Sequence, residues 1–203
     1  MQVGAIVVAG GSGLRMGGDQ PKQFMLLGGK PVLQHTLAAI TAALPISAPV
    51  ALILPPAYLE SAAAWRQKDT DQMNLAIIAG GATRTLSVAA GLHWLEEHLP
   101  PDGLVLVHDG VRPFVRVETI HQVLQAAEQH GAATAAVPVK SSLRRLTPEG
   151  LSVAVDRVDY LEVQTPQAFR LEILSRLITI AAKACLQMTP AWWKALPAKP
   201  LRW

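Results

Sequence analysis

Five short apolar runs recur along the chain: VGAIVVA (3–9), VALILP (50–55), LAIIA (75–79), LVLVH (104–108) and ATAAVPV (133–139). Their apolar residues are consecutive and not alternate, the pattern of strands covered on both faces in a mostly parallel sheet. Between them lie amphipathic segments at Pro31–Ala43, Pro56–Gln67, Thr83–His98 and Val117–His130, which predict helices. Pro31 suits a first helical turn, where its missing N–H is not needed. The repeated strand–helix order predicts a three-layer, Rossmann-like α/β domain with its ligand at the carboxyl ends of the strands.

After the fifth run the period changes. SSLRRL, a TPEG turn and SVAVDR alternate like a two-stranded antiparallel arm at about 140–158. An isolated hairpin is marginal in water, so this arm is expected to pack on a second copy of the chain.

At 203 residues, half of them apolar, the chain suffices for one globular domain over 1–203. The net charge of +3 is spread out, without the like-charged block that binds nucleic acid or acidic membranes. The basic residues therefore suit a small anionic ligand. A single cysteine, Cys185, leaves no internal disulfide and fits a reducing compartment, where it reads as a small apolar helix residue. MQVGAIVVAG lacks the basic and long apolar regions of a signal peptide, and no apolar run reaches the roughly 18 residues of a membrane span. The expected location is the cytoplasm.

The first strand runs into a glycine-rich stretch, VVAGGSGLRMGGDQPKQF (7–24), with five glycines. Its spacing is not that of a dinucleotide fingerprint, because Met16 stands where the third glycine belongs, and no acidic residue closes the second strand. It is not a Walker loop either, since Asp19 takes the place of the lysine after Gly13 to Gly18. A glycine loop offering free amides, followed by Arg15 and Lys22, suits a polyphosphate whose charge grows during reaction.

Two further groups follow later strands. AGGATRTLSV (79–88) is a Gly-Gly turn with Arg84 and Ser87 entering a helix, able to present amides and a hydroxyl to a base edge. A plain helix start with Thr83 as cap has the same look. In VHDGVRPF (108–114), Asp109 suits ribose hydroxyls or a metal and Arg112 a second phosphate, whereas a lone Asp at a strand end is most often a turn residue.

Taken in order, AGGSGLRM, PKQF, GGATRTLSV, VHDGVRPF, VDR and TPQAF resemble the 2-C-methyl-D-erythritol 4-phosphate cytidylyltransferases over about residues 3–175. The resemblance implies a nucleotide-diphospho-sugar transferase-like fold, a homodimer interlocked through the arm, and CTP and a polyol phosphate as substrates. It implies that Ala9, Gly10, Gly11, Ser12, Gly13, Gly81, Ala82, Arg84, Ser87, Asp109 and Gly110 hold the nucleotide. Arg15 and Lys22 become the catalytic cations. Arg112, Ser142, Arg157 and Thr165 become acceptor ligands, Arg157 reaching a neighbouring subunit's site. Mg²⁺ is expected to bind mainly through the CTP phosphates, with no dedicated protein cage. Ala82 stands where many members have aspartate, and Ser142 where they have threonine.

The end, 186–203, departs from the family, which continues T-D-D-A-S-x-V-E. Reading from the third base of each codon, Met188-Thr189 forces GAC (Asp), Trp192-Trp193 forces GTG (Val) and Trp193-Lys194 forces GAA (Glu). The other junctions permit T-D-D-A-S-L-V-E, so the segment reads as translated out of frame after about Leu174. That would leave a catalytically impaired nucleotide-binding dimer. A basic-aromatic tail docking on a membrane or partner is the competing reading. The alternative acceptor is ribitol 5-phosphate, since the loop motifs suit both branches.

Overall fold

The computed structural model describes residues 2–10, 21–62 and 74–185, with side chains to residue 181. The chain begins with β1 (Val3–Val8), and a small hairpin of β2 (Leu26–Leu27) and β3 (Lys30–Pro31) leads into α1 (Val32–Ala43). Then come β4 (Val50–Leu54), β5 (Leu75–Ala79), α2 (Arg84–Glu96), β6 (Leu104–Asp109), α3 (Val117–His130) and β7 (Ala132–Pro138). The arm is β8 (Leu143–Leu146) with β9 (Ser152–Val155), and β10 (Leu161–Arg170) runs into α4 (Leu171–Cys185).

The main sheet has the order β5-β4-β1-β6-β10-β7. β5, β4, β1 and β6 pair in parallel, while β10 is antiparallel to both β6 and β7. The five expected strands match the observed ones to within a residue at each end. Their continuous apolar character has a direct cause, because both faces are covered. Ala5, Val7, Leu52, Leu104 and Leu106 face α1 and α3, where they meet Leu33, Leu37, Ile40, Ile120 and Val123. Ile6, Ile53, Val105 and Val107 face α2 and α4, where they meet Val88, Leu92, Leu95, Leu174 and Leu177. Each Val, Leu or Ile side chain among these, fully buried, contributes about 1.5–3 kcal/mol.

Helix ends follow local chemistry. Thr83 caps α2, its hydroxyl accepting from the Leu86 amide at 3.2 Å. α3 stops at Gly131, whose φ of 85° is the left-handed conformation that ends helices without a Cβ penalty. The turn between β2 and β3 is Gly28-Gly29, with φ of 58° and 82°, as a two-residue primed turn requires.

The structure corrects the sequence reading in three places. The segment 56–67 opens as a 3-10 turn, Pro56–Tyr58, in place of a first helical turn, is helical as expected over 59–62, and at 63–67 lies outside the described residues. β10 was not expected, since Pro166 cannot donate to a sheet ladder. The register shifts between Val163 and Gln167, so the proline sits in an irregularity with a cis Thr165–Pro166 bond. α4 was expected only at Cys185, its last residue, and not from Leu171 onward. It covers the β6 side of the sheet beside α2.

The arm stands as a separate two-stranded sheet with Leu143 opposite Val155 and Leu146 opposite Ser152. Leu146, Leu151 and Val153 on it are exposed.

Candidate active site

The chain passes from β1 outward to β4 and β5, then crosses back to β6 on the other side of β1. The crevice at such a reversal, beyond the carboxyl ends of the strands, is where doubly wound sheets bind ligands. β1 delivers Ala9 and Gly10 to one side of it, and β6 delivers Asp109 and Gly110 to the other. The Gly110 amide donates to the Val8 carbonyl at 2.8 Å, holding the two strand ends together.

Asp109 is the centre of the cluster. Arg84 Nη2 reaches its Oδ1 at 3.0 Å from the start of α2, and Arg112 Nε reaches its Oδ2 at 3.3 Å from the turn that follows β6. Its backbone amide donates to Thr165 Oγ1 at 3.3 Å, which brings β10 into the same site. All four residues were expected there. Their ion-pairing was not, because Arg84 and Asp109 are 25 positions apart.

Ser87 lies in the first turn of α2 and is buried, its hydroxyl donating to the Gly81 carbonyl at 3.3 Å. A Cβ placed on Gly10 would stand 3.6 Å from that hydroxyl, so Gly10, Gly81 and Ser87 form one group. Gly81 is required by space, since a Cβ there would come within 2.4 Å of Leu86 Cβ. Ala82 and Arg84 are exposed at the rim.

Lys22 opens a 3-10 turn, Lys22–Phe24, whose next residue ties it to the crevice. Gln23 is buried and its Nε2 donates to the Ala9 carbonyl at 2.7 Å. Phe24 anchors the turn against Tyr58, with ring centroids 4.6 Å apart. Gly11, Ser12, Gly13 and Arg15 lie outside the described residues.

Ser142 and Arg157 are exposed at the base of the arm. Arg157 Nη1 donates to the Lys140 carbonyl. Among the described residues, neither side chain hydrogen-bonds the Asp109 cluster of its own chain.

Three buried polar residues support the cluster from below and were given no role from the sequence, although two of them, Gln23 and His108, lie within PKQF and VHDGVRPF. They are Gln23, Thr36, whose Oγ1 donates to the Gly110 carbonyl at 3.0 Å, and His108. His108 Nε2 lies 3.2 Å from the Arg112 carbonyl, and burial pushes the imidazole below its ordinary pKa. The pull of the Arg112 carbonyl and of Asp109 in the other direction does not offset that burial.

A cleft of about 760 Å³ opens beside this turn, with Val32, His108, Arg112, Phe114, Val137 and Thr165 in its wall. Apolar walls with a few convergent polar groups are the usual make-up of a small-molecule site. No group of three or more His, Cys, Asp or Glu side chains fit to hold a metal occurs among the described residues. Among those residues no helix is long and apolar enough to cross a membrane.

Comparison with known proteins follows the same lines as the geometry. The family model for 2-C-methyl-D-erythritol 4-phosphate cytidylyltransferase matches residues 3–191, further than the 3–175 expected from the motifs. A protein of that name from Bacteroides thetaiotaomicron is 44% identical over 179 residues, covering 87% of this chain and 78% of its own length. Its namesake from Porphyromonas gingivalis is 45% identical over 174 residues, covering 84% and 73%. The crystal structure of the Thermus thermophilus protein of that name superposes with a TM-score of 0.72 at 30% identity, over 100% of this chain and 89% of that one.

Proposed function

We propose an assignment of catalytic roles within this chain, which belongs to the 2-C-methyl-D-erythritol 4-phosphate cytidylyltransferase family. The enzyme transfers a cytidylyl group from CTP to 2-C-methyl-D-erythritol 4-phosphate, releasing pyrophosphate, in isoprenoid biosynthesis. The relatives named above share the methylerythritol acceptor, which does not favour ribitol 5-phosphate. The observation that carries the role assignment is the Asp109 carboxylate held between Arg84 and Arg112 at the strand-order reversal.

CTP lies across the carboxyl end of β1. Gly81, Ala82 and Ser87 meet the base, and Asp109 and Gly110 meet the ribose. Gly10 through Gly13 offer amides to the phosphates. The acceptor phosphate occupies the side of Arg112 and Thr165. One of its oxygens attacks the α-phosphorus in line, the new P–O bond forms as the bond to the β-phosphate oxygen breaks, and pyrophosphate leaves with the electron pair. No protein nucleophile takes part. Arg15 and Lys22 stabilise the charge that develops on the α-phosphoryl oxygens, while the fixed strand ends hold the reactants in line.

The residues present fit a magnesium ion bound through phosphate. Both oxygens of Asp109 are engaged by guanidinium groups, which leaves phosphate oxygens as the hard donors at hand. When bound, Mg²⁺ neutralises charge on the leaving pyrophosphate.

The arm supplies the rest. Its exposed Leu146, Leu151 and Val153 suit burial against a second copy, and an isolated hairpin is too weak to stand alone. In that homodimer Arg157 and Ser142 of one subunit complete the acceptor site of the other.

Pyrophosphate release from CTP, measured with methylerythritol phosphate and with ribitol 5-phosphate, tests the acceptor. Release only with the former is expected, and preference for the latter overturns it. In the protein with its reading frame restored beyond about residue 174, Lys22→Ala should remove turnover, and unchanged activity in that variant would refute the catalytic assignment.

A further inference from the structure

Along β6, Leu104 and Leu106 face the α1 and α3 layer, and His108 is next in that row. A third apolar residue would extend the core there. The sequence instead places an imidazole with no exposed surface. Burying a polar ring is unfavourable unless it makes a hydrogen bond in return.

The bond it makes is to the turn above. His108 Nε2 lies 3.2 Å from the Arg112 carbonyl. A carbonyl oxygen only accepts, so Nε2 carries the proton and Nδ1 does not. Nδ1 has no hydrogen-bond partner among the described residues, and burial keeps the ring neutral. The one hydrogen bond this side chain makes among the described residues is therefore to that backbone oxygen.

That oxygen belongs to the last residue of the turn that carries the site's charges. The Arg112 amide donates back to the Asp109 carbonyl at 3.1 Å, and Arg112 Nε meets Asp109 Oδ2 at 3.3 Å. The second contact is already long for a charge-assisted hydrogen bond, so it has little slack for a shift of the turn. Thr36 holds the same turn one step earlier, through the Gly110 carbonyl.

We propose that His108 is a positioning residue for cytidylyl transfer: by gripping the Arg112 carbonyl from inside the core, it fixes the turn on which Asp109 and Arg112 meet. It thereby sets the aim of the Arg112 guanidinium at the acceptor phosphate. The inference rests on the reading above that Arg112 faces the acceptor. A misplacement of about 1 Å, even by a change remote from the reacting atoms, can lower turnover by about a hundredfold.

Two variants and one spectrum test this. His108→Phe keeps the shape and removes the donor, while His108→Gln places an amide nitrogen close to the position of Nε2. Steady-state rates are measured for CTP and for methylerythritol phosphate, well below the melting temperature of each variant. The Phe variant is expected to lose about 10- to 100-fold in kcat/KM for the acceptor, with a smaller rise in KM for CTP because Asp109 is also held by its pairing with Val8, and the Gln variant to recover most of that loss. A Phe variant with unaltered kcat/KM, or a Gln variant as impaired as Phe, overturns the proposal. Should the Phe variant not fold, His108→Leu takes its place, continuing the Leu104 and Leu106 row.

The spectrum needs no variant. Long-range ¹H–¹⁵N correlation at pH 8 should show His108 as the Nε2–H tautomer, and the Nδ1–H tautomer overturns the proposal. Arg112→Ala separates the two readings. If that variant is impaired and His108→Phe is not, the positioning role fails alone; if Arg112→Ala is fully active, the acceptor assignment fails.

Discussion

Replacing Asp109 by Asn should leave the protein folded and remove most of its turnover. The carboxylate accepts from Arg84 at 3.0 Å and Arg112 at 3.3 Å, with side-chain exposures of 27% for the aspartate and 40% and 43% for the arginines. Pairs this open to water contribute about 0.2–1 kcal/mol each after solvent screening, so the two together stabilise the fold by about 2 kcal/mol at most. For a domain of this size that corresponds to a fall in Tm of no more than about 8 °C. The effect on catalysis follows different arithmetic. Asparagine keeps one acceptor oxygen, but its NH₂ group then faces a guanidinium, donor against donor, so one arginine is released. The released arginine no longer holds its ligand in line, and a misplacement of about 1 Å can lower turnover by about a hundredfold. A coupled pyrophosphate-release assay, with CTP and acceptor varied in turn, measures the loss, and a thermal melt of the same sample measures stability. Turnover within about threefold of the parent would refute the reasoning, as would a loss explained wholly by unfolding at the assay temperature.

Other consequences are open to direct measurement. Gly131→Ala forces a Cβ into a left-handed residue and to within 2.6 Å of Ile173 Cδ1, so stability should fall by about 1–2 kcal/mol, read as a lower Tm with kcat retained. Burial holds the folded-state pKa of His108 below its ordinary value of 6.5, so beneath that pH the unfolded chain binds a proton that the native chain refuses. Stability should therefore decline as pH falls from 6.5 toward the lowered native value, and urea melts of His108→Phe should show a shallower decline; an equal slope would contradict the cause. Mixing Arg157→Ala subunits with Lys22→Ala subunits should restore about a quarter of parental activity, one complete site in each mixed dimer, and no recovery would place Arg157 outside its neighbour's site. Residues 186–203 lie outside the described residues, and the coding DNA tests their out-of-frame reading: a one-base slip after about codon 174 is expected, and an uninterrupted frame shared by close relatives rules it out.

The parallel half of the sheet was legible because a strand buried on both faces has little choice but to be apolar throughout, as Val50–Leu54 is. The site was legible in part for a related reason. Backbone that must approach a ligand needs glycine, and Gly10 and Gly81 stand directly beyond strands. β10 was hidden by Pro166, whose irregularity exists only once the strand has two neighbours to bend between. The pairing of Arg84 with Asp109 was hidden because the start of α2 and the end of β6 come to the same end of the sheet only through the strand order. His108 was read as the last residue of an apolar strand, and its purpose depends on a turn that folds back over it.

The placement of β10 also sets an order of assembly during synthesis. Among the described residues β7 pairs with no strand except β10, and β6 presents an open edge until β10 lies against it. Once residues through Pro138 have emerged from the ribosome, four parallel strands can be in register while β7 waits without a partner among the described strands, and the whole arm must emerge before its roots can be joined. The strand carrying Asp109 is therefore sealed late, by the same segment that brings Thr165 to its amide. A nascent chain paused before residue 160 would expose that edge, making this interval the one in which a chaperone has most to shield and a neighbouring nascent chain most to pair with.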